Sequence, residues 1–200
     1  MGVGPEAVGP TIVVEEGRVG AAQERWTVAR GASRAERSTA PACQHVDEVL
    51  RIAGSCFRYS RFHLDHLVPN AIANRIKREW ISSYIQRKRG DKLFVAVKGD
   101  APVGFLAATT GISDGKRTAI IELIGVDLAF QGQGIGMALV GTFIRTYRNT
   151  CEVLQVGTQA VNIPSMRLYE RMGFHRIPPF GDYRLDPMTV FFEKDCRADS

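Results

Sequence analysis

The sequence predicts a mixed α/β domain on a mostly antiparallel sheet, and three observations predict it. Hydrophobic periodicity changes along the chain in the order β, α, α, β, β, β, α, β, α, β, β. Short polar turns, KGDAP at 98–102 and GISDGKR at 111–117, separate the three central strands, so these pair antiparallel. A glycine-rich loop from Gln131 to Gly136 stands between the longest strand and a helix.

Composition supports a folded domain. The 200 residues are 44% hydrophobic and 24% charged, ordinary for a globular chain and unlike a disordered, collagen-like or coiled-coil one. No apolar run approaches the ~20 residues of a membrane-spanning helix. No basic-then-apolar leader opens the chain, so a cytoplasmic protein is expected. The formal charge of +5 is mild, although residues 75–92 hold seven Lys/Arg against two Asp/Glu. That stretch reads as a solvated helix face. Without zinc-finger spacing or an aromatic stacking motif, no nucleic-acid partner is expected. Cys43, Cys56, Cys151 and Cys196 form no CxxC pair, and His63 and His66 lack a regularly spaced third ligand, so no metal is expected.

Residues 1–22 read as a loose N-terminal arm with a short strand at 11–15, and residues 23–200 as the domain. RWTVAR at 25–30 is the first strand, followed by a polar loop at 31–41. Val46, Val49, Leu50, Ala53 and Phe57 mark one helical face. A turn-rich segment at 58–70 leads to a second amphipathic helix carrying Ile72, Ile76, Trp80, Ile81, Tyr84 and Ile85. Strands follow at 93–97, 103–110 and 118–127. The third helix, 134–148, faces inward with Ile135, Leu139, Val140, Phe143, Ile144 and Tyr147. A strand at 152–157, a helix at 165–172 ended by Gly173, and strands at 174–177 and 189–193 complete the chain. Gly173 is placed as a left-handed C′ residue.

The loop Gln131-Gly132-Gln133-Gly134-Ile135-Gly136 carries the chemistry. Amides at a helix N-terminus are unpaired and the dipole there is positive, so glycines that admit phosphate oxygens make a phosphate cradle. A P-loop would continue with Lys-Ser/Thr, but Met137 follows Gly136. A dinucleotide fingerprint needs G-x-G-x-x-G, and these glycines fall as G-x-G-x-G. A turn without a ligand is the remaining reading of the loop alone.

A second block follows, with Asn162, Tyr169, Gly173 and Phe174 spaced as Asn…Tyr-x-x-x-Gly-Phe. With Gln131, Gly134 and Gly136, and with the order of elements from about residue 25 to 193, it resembles the GCN5-related N-acetyltransferase (GNAT) superfamily. The resemblance implies a central sheet flanked by helices on both faces, with the loop between the fourth strand and third helix. It also implies acetyl-CoA as cosubstrate, its pyrophosphate held by the amides of Gln131, Gly132, Gln133, Gly134, Ile135 and Gly136. Ile124 and Val126 would pair with pantetheine, and the Val126 amide would stabilise the thioester oxyanion. Tyr169 matches the general acid, although a Tyr on this helix also reads as a core aromatic. Asn162 would bond the CoA arm and also reads as a helix cap. Glu122 is a candidate base, or a strand carboxylate facing solvent or a lysine.

The stretch 57–104 resembles the branch that acetylates dTDP-linked 4-amino sugars, through residues 60–65, Trp80, Arg89-Gly90-Asp91 and Val103-Gly104-Phe105. It implies an amine acceptor that is a sugar nucleotide, with Arg61, His63 and Asp65 as acceptor-binding candidates. Basic residues at 87–89 would attract a diphosphate or are surface charge. A protein N-terminus or another small amine is the alternative acceptor, and a non-catalytic acyl-CoA-binding module the alternative function. Homodimers recur in the family and are carried as an expectation.

Overall fold

The computed structural model describes residues 12–18, 27–28 and 45–196. Its elements are β1 (Ile12–Arg18), β2 (Thr27–Val28), α1 (Val46–Ala53), α2 (Arg61–Leu64), α3 (Asn70–Ile85), β3 (Lys92–Lys98), β4 (Ala101–Ser113), β5 (Lys116–Val126), α4 (Ile135–Tyr147), β6 (Val153–Gln159), α5 (Ile163–Arg171), β7 (His175–Ile177) and β8 (Thr189–Asp195). The sheet runs β2-β1-β3-β4-β5-β6-β8-β7. Every neighbouring pair is antiparallel except β5–β6, which α4 connects as a parallel crossover. The mixed, mostly antiparallel sheet is therefore the one that the sequence predicts. Among the described residues no helix is long and apolar enough to cross a membrane.

Several elements differ from the sequence reading. The short strand expected at 11–15 is present from Ile12 but runs on to Arg18 and, inside a stretch read as a loose arm, pairs with β3 along its whole length. Of RWTVAR the described residues are Thr27 and Val28, a strand that pairs with β1. The loop assigned to 31–41 lies outside the described residues. The segment at 58–70, read as turns, holds the one-turn helix α2. The glycine loop accordingly follows the fifth strand and precedes the fourth helix. The central strands also run further into their turns. GISDGKR contracts to Asp114-Gly115, both at positive φ (50° and 75°), the arrangement a two-residue Asp-Gly hairpin loop requires.

Helices cover both faces, so β3 is buried on both sides. Leu93, Val95 and Val97 face α1 and α3, while Phe94 and Ala96 face α4. α4 sets Ile135, Leu139, Val140, Phe143 and Tyr147 into that second core, with Phe143 fully buried. Truncating such a phenylalanine to alanine costs about 3–5 kcal/mol. α3 turns its buried stripe as Ala73, Lys77, Ile81 and Tyr84. Ile72, placed on the inner face by the sequence pattern, is exposed instead.

One irregularity shapes the site. Ala107 pairs with Leu123, but Ala108 pairs with Ile121. Glu122 is thus the extra residue of a β-bulge in β5. The bulge reverses side-chain parity: Ala119 and Ile121 face the α4 core, but Leu123, two residues on, faces the α1–α3 core.

Candidate active site

A cavity of about 840 Å³ opens between β5 and β6. The two strands pair in parallel only from Thr118↔Val153 to Ile121↔Val156. Beyond that point β6 continues its pairing with β8, and β5 turns at its bulge. The orientation of the amides on β5 follows from its other edge. Asp127 donates its N–H to Val103 at 2.9 Å. Alternation along an antiparallel ladder then aims the amides of Gly125 and Leu123 at β4, opposite Phe105 and Ala107. The amides and carbonyls of Ile124 and Val126 face the other way, into the gap left by β6.

The glycine loop continues from this edge. Asp127 accepts from the Ala129 amide at 3.0 Å and from Arg51 of α1 at 2.6 Å. These two donors, the backbone amide foremost, hold its carboxyl below the usual carboxylate range. The Gln131 amide side chain donates to the Val126 carbonyl at 3.1 Å. Gly132 and Gly134 take φ of 78° and 81°, which a residue with a Cβ adopts only under strain. No atom lies within 4 Å of where a Cβ of Gly132 would stand, so the backbone there borders open space on that side. Gly134 caps α4, and the first free amides of that helix complete an anion cradle. Gln131, Gly132, Gly134, Ile135 and Gly136 line the cavity. Gln133 is not among its lining residues; its side chain accepts from Lys98 at 3.0 Å.

Across the cavity, Asn162 caps α5. Its Oδ1 accepts from the Ser165 amide at 3.4 Å and its Nδ2 donates to Thr158 of β6 at 3.2 Å, so the capping role expected of it is realised. Tyr169 is 2% exposed, its ring packed at 6.0 and 5.7 Å from Phe174 and Phe192. Its hydroxyl has no hydrogen-bond partner among the described residues, and burial pushes its pKa up. It is both a core aromatic and a wall of the cavity.

Glu122 reaches the cavity from the bulge. Its Oε2 accepts from Trp80 Nε1 at 3.1 Å and from Arg89 Nε at 2.8 Å. The Arg89 guanidinium in turn lies 4.5 Å above the Trp80 ring. Of the other acceptor candidates, Arg61 lines the cavity and His63 and Asp65 do not. Both His63 nitrogens are engaged, by Ser60 at 2.6 Å and Asn74 at 2.8 Å. Asp65 accepts from the Leu67 amide.

Lys77 escaped the sequence reading, which left it in the solvated basic stretch. It is only 8% exposed, and its period with Ala73, Ile81 and Tyr84 was the available signal. Cys56 also lines the wall, tight against Gly125, where an added Cβ would meet Sγ at 2.6 Å. Burial pushes the Cys56 thiol up to about 12, against the opposing help of its own amide, Lys77 and the Val126 amide. It is a protonated thiol at neutral pH and a poor nucleophile.

The chain is similar in sequence and in fold to known proteins. The family described as acetyltransferase (GNAT) matches residues 46–174. An N-acetylaspartate synthetase of Danio rerio is 34% identical over 110 residues, covering 54% of this chain and 38% of the relative. The spore coat polysaccharide biosynthesis protein SpsD of Bacillus subtilis (strain 168) is 26% identical over 142 residues, covering 70% of this chain and 47% of the relative. The chain thus spans less than half the length of these two curated relatives. Among solved structures, PH1933 from Pyrococcus horikoshii OT3 shares the fold with a TM-score of 0.58 at 23% identity, over 74% of this chain and 90% of that one. The parted strands, the glycine loop at the head of α4 and the family match over most of the described residues lead to one conclusion: the chain belongs to the acetyltransferase (GNAT) family.

Proposed function

We propose that this chain transfers an acetyl group from acetyl-CoA directly to a primary amine. The observation that carries the reading is the free edge of β5 at Ile124 and Val126, continuous with the glycine loop and facing Tyr169 across one cavity. The residues fit the donor. Amides from Gln131 to Gly136 suit a pyrophosphate, and the exposed edge of β5 suits the amide groups of pantetheine as a partner strand would.

The donor supplies an activated thioester carbon, which the amine nitrogen attacks as the C–S bond breaks. The Val126 amide donates to the carbonyl oxygen as negative charge grows there, and it is already oriented when the reaction starts. Tyr169, kept protonated by burial, gives its proton to the departing sulfur. Glu122 takes the proton that the amine loses, with Trp80 and Arg89 holding its carboxylate in place. Cys56 takes no part, and no acyl-cysteine forms.

For the acceptor, the favoured reading is the 4-amino group of a dTDP-linked sugar, supported by the resemblance across 57–104 and by the name of the B. subtilis relative. The second reading is an acidic amino acid, supported by the name of the D. rerio relative. Thermal denaturation tests the donor. A ligand at 100 times its Kd adds about 2.7 kcal/mol to the folded state, so acetyl-CoA should raise Tm clearly and NADH and ATP should not. A larger shift with NADH or ATP would overturn the reading. Release of free CoA thiol with dTDP-4-amino sugars, aspartate and a peptide N-terminus then separates the acceptors.

A further inference from the structure

Lys77 stands out among the cavity residues. It lies on the buried stripe of α3, yet its side chain lines the cavity. Three rings surround the ammonium, with centroids at 4.8 Å (Trp80), 5.2 Å (Phe57) and 5.6 Å (Phe62). Among the described residues no carboxylate pairs with it and no oxygen accepts from it. The charged group nearest in effect is another cation, Arg61, whose guanidinium lies 5.0 Å over the Phe62 ring.

A buried ammonium without a counter-ion is costly, and ring faces offset only part of that cost. The rest of the lining supplies no carboxylate that bonds to Lys77. Its cations are Arg58, Arg61, Lys77, Arg89 and Arg184, and its carboxylates are Glu122 and Asp186. Glu122 is taken by Arg89 and Trp80. Asp186 is taken by the Met188 amide and the Thr189 hydroxyl. Lys77 and Arg61 share one wall, and although Asp186 is close enough to feel the charge of Arg61, no carboxylate among the described residues bonds to either cation, in a cavity that a substrate must enter.

We propose that Lys77, with Arg61, receives an oxyanion of the acceptor, so that the amine substrate carries a carboxylate or a phosphate. The inference deepens the acetyltransferase reading and rests on it for the word acceptor. Lys77 is then a specificity-determining residue. It binds the end of the substrate that does not react, and Trp80, which touches both Lys77 and Glu122, connects the anion subsite to the site of proton transfer.

Trp80 also provides the measurement. In a Trp26→Phe background, Trp80 is the remaining tryptophan, and its fluorescence is titrated with succinate, dTDP, neutral succinamide and thymidine. The expected result is a saturable change with succinate or dTDP and none with its neutral counterpart. Lys77→Met should weaken that binding at least tenfold and Lys77→Arg should retain it. Lys77→Met should also raise Tm near neutral pH, because it removes a buried charge and keeps the apolar stem. A merely structural lysine gives no such opposition between stability and binding. Which anion binds identifies the source as carboxylate or phosphate. No saturable change with either anion, or unaltered binding in Lys77→Met, would overturn the proposal. The acetyl-CoA thermal shift, measured on the same proteins, tests the acetyltransferase reading separately, since it needs no acceptor.

Discussion

Arg89 Nε stands 2.8 Å from Glu122 Oε2, and Glu122 is the one residue that the bulge adds to β5. Without the bulge, regular alternation along β5 would carry Ile121 and Leu123 to the same face. The bulge turns the carboxylate toward Trp80 and Arg89, at the place where β5 and β6 part. Glu122→Gln keeps the size of the side chain and removes its charge. With Glu122 as proton acceptor, kcat should fall about 100-fold or more, while the thermal shift with acetyl-CoA stays as in the wild type. CoA thiol release under saturating acceptor measures it, and an unchanged kcat would remove Glu122 from the chemistry.

Tyr169→Phe separates catalysis from packing. The ring is held by Phe174 and Phe192, and the hydroxyl makes no hydrogen bond within the described residues. Its removal leaves no partner unsatisfied. Tm should therefore change by less than about 2 °C, the shift that a few tenths of a kcal/mol produces in a domain of this size. Turnover should drop on the order of 100-fold. Unchanged turnover would end the general-acid assignment.

Lys77 predicts a pH signature in stability. Its pKa is lowered from 10.5 to about 8, by burial first and by the charge of Arg61 second, with Cys56 opposing. Below pH 8 both the folded and unfolded chains carry the proton. Between about 8 and 10.5 the unfolded chain still holds it and the folded chain has released it, so stability from this group rises with pH. Relative to Lys77→Met, the wild type should gain on the order of 3 kcal/mol across that window. Urea denaturation of both proteins at pH 7, 8, 9 and 10 reads the difference, in which the other titrating groups cancel. A constant difference would show that Lys77 is solvated.

Gly90 is the position least tolerant of a side chain. Its φ is 71°, and a Cβ there would stand 1.9 Å from Cε1 of Tyr84. Tyr84 is fully buried and has no room to retreat. Gly90→Ala should destabilise the fold by more than about 3 kcal/mol, combining overpacking with backbone strain. It should also displace Arg89 from Glu122. Gly111→Ala is the control, since nothing lies within 4 Å of its Cβ position and its φ is not positive. That variant should stay within about 0.5 kcal/mol of wild type. Equal Tm losses in the two variants would refute the steric argument.

The legible features were those written in local pattern. The polar turns at 98–102 and 111–117 announced the hairpins, the period of Ile135, Leu139, Phe143 and Tyr147 announced α4, and the spacing of Asn162, Tyr169, Gly173 and Phe174 carried the family resemblance. Gly173 takes φ 80° as its place after α5 predicts. The acceptor side was less legible. His63 and Asp65 had suitable chemistry, but their partners Ser60, Asn74 and Leu67 hold them in the local fold. Lys77 had the period of a core residue and the charge of a surface one, and charge alone argued for the surface.

The sequence by itself determined the order of elements from β3 to β8, the antiparallel centre of the sheet and the glycine loop, because each depends on residues close together in the chain. Tertiary structure decided what the loop faces. The parting of β5 from β6, the exposed edge at Ile124 and Val126, the turn of Glu122 toward Arg89 and the burial of Lys77 among three rings arise from elements distant in sequence. A bulge changes parity without changing composition, and a buried charge is defined by what surrounds it. The bulge leaves no local mark for a linear reading to find, and the burial of Lys77 left only the period that it shares with Ala73, Ile81 and Tyr84.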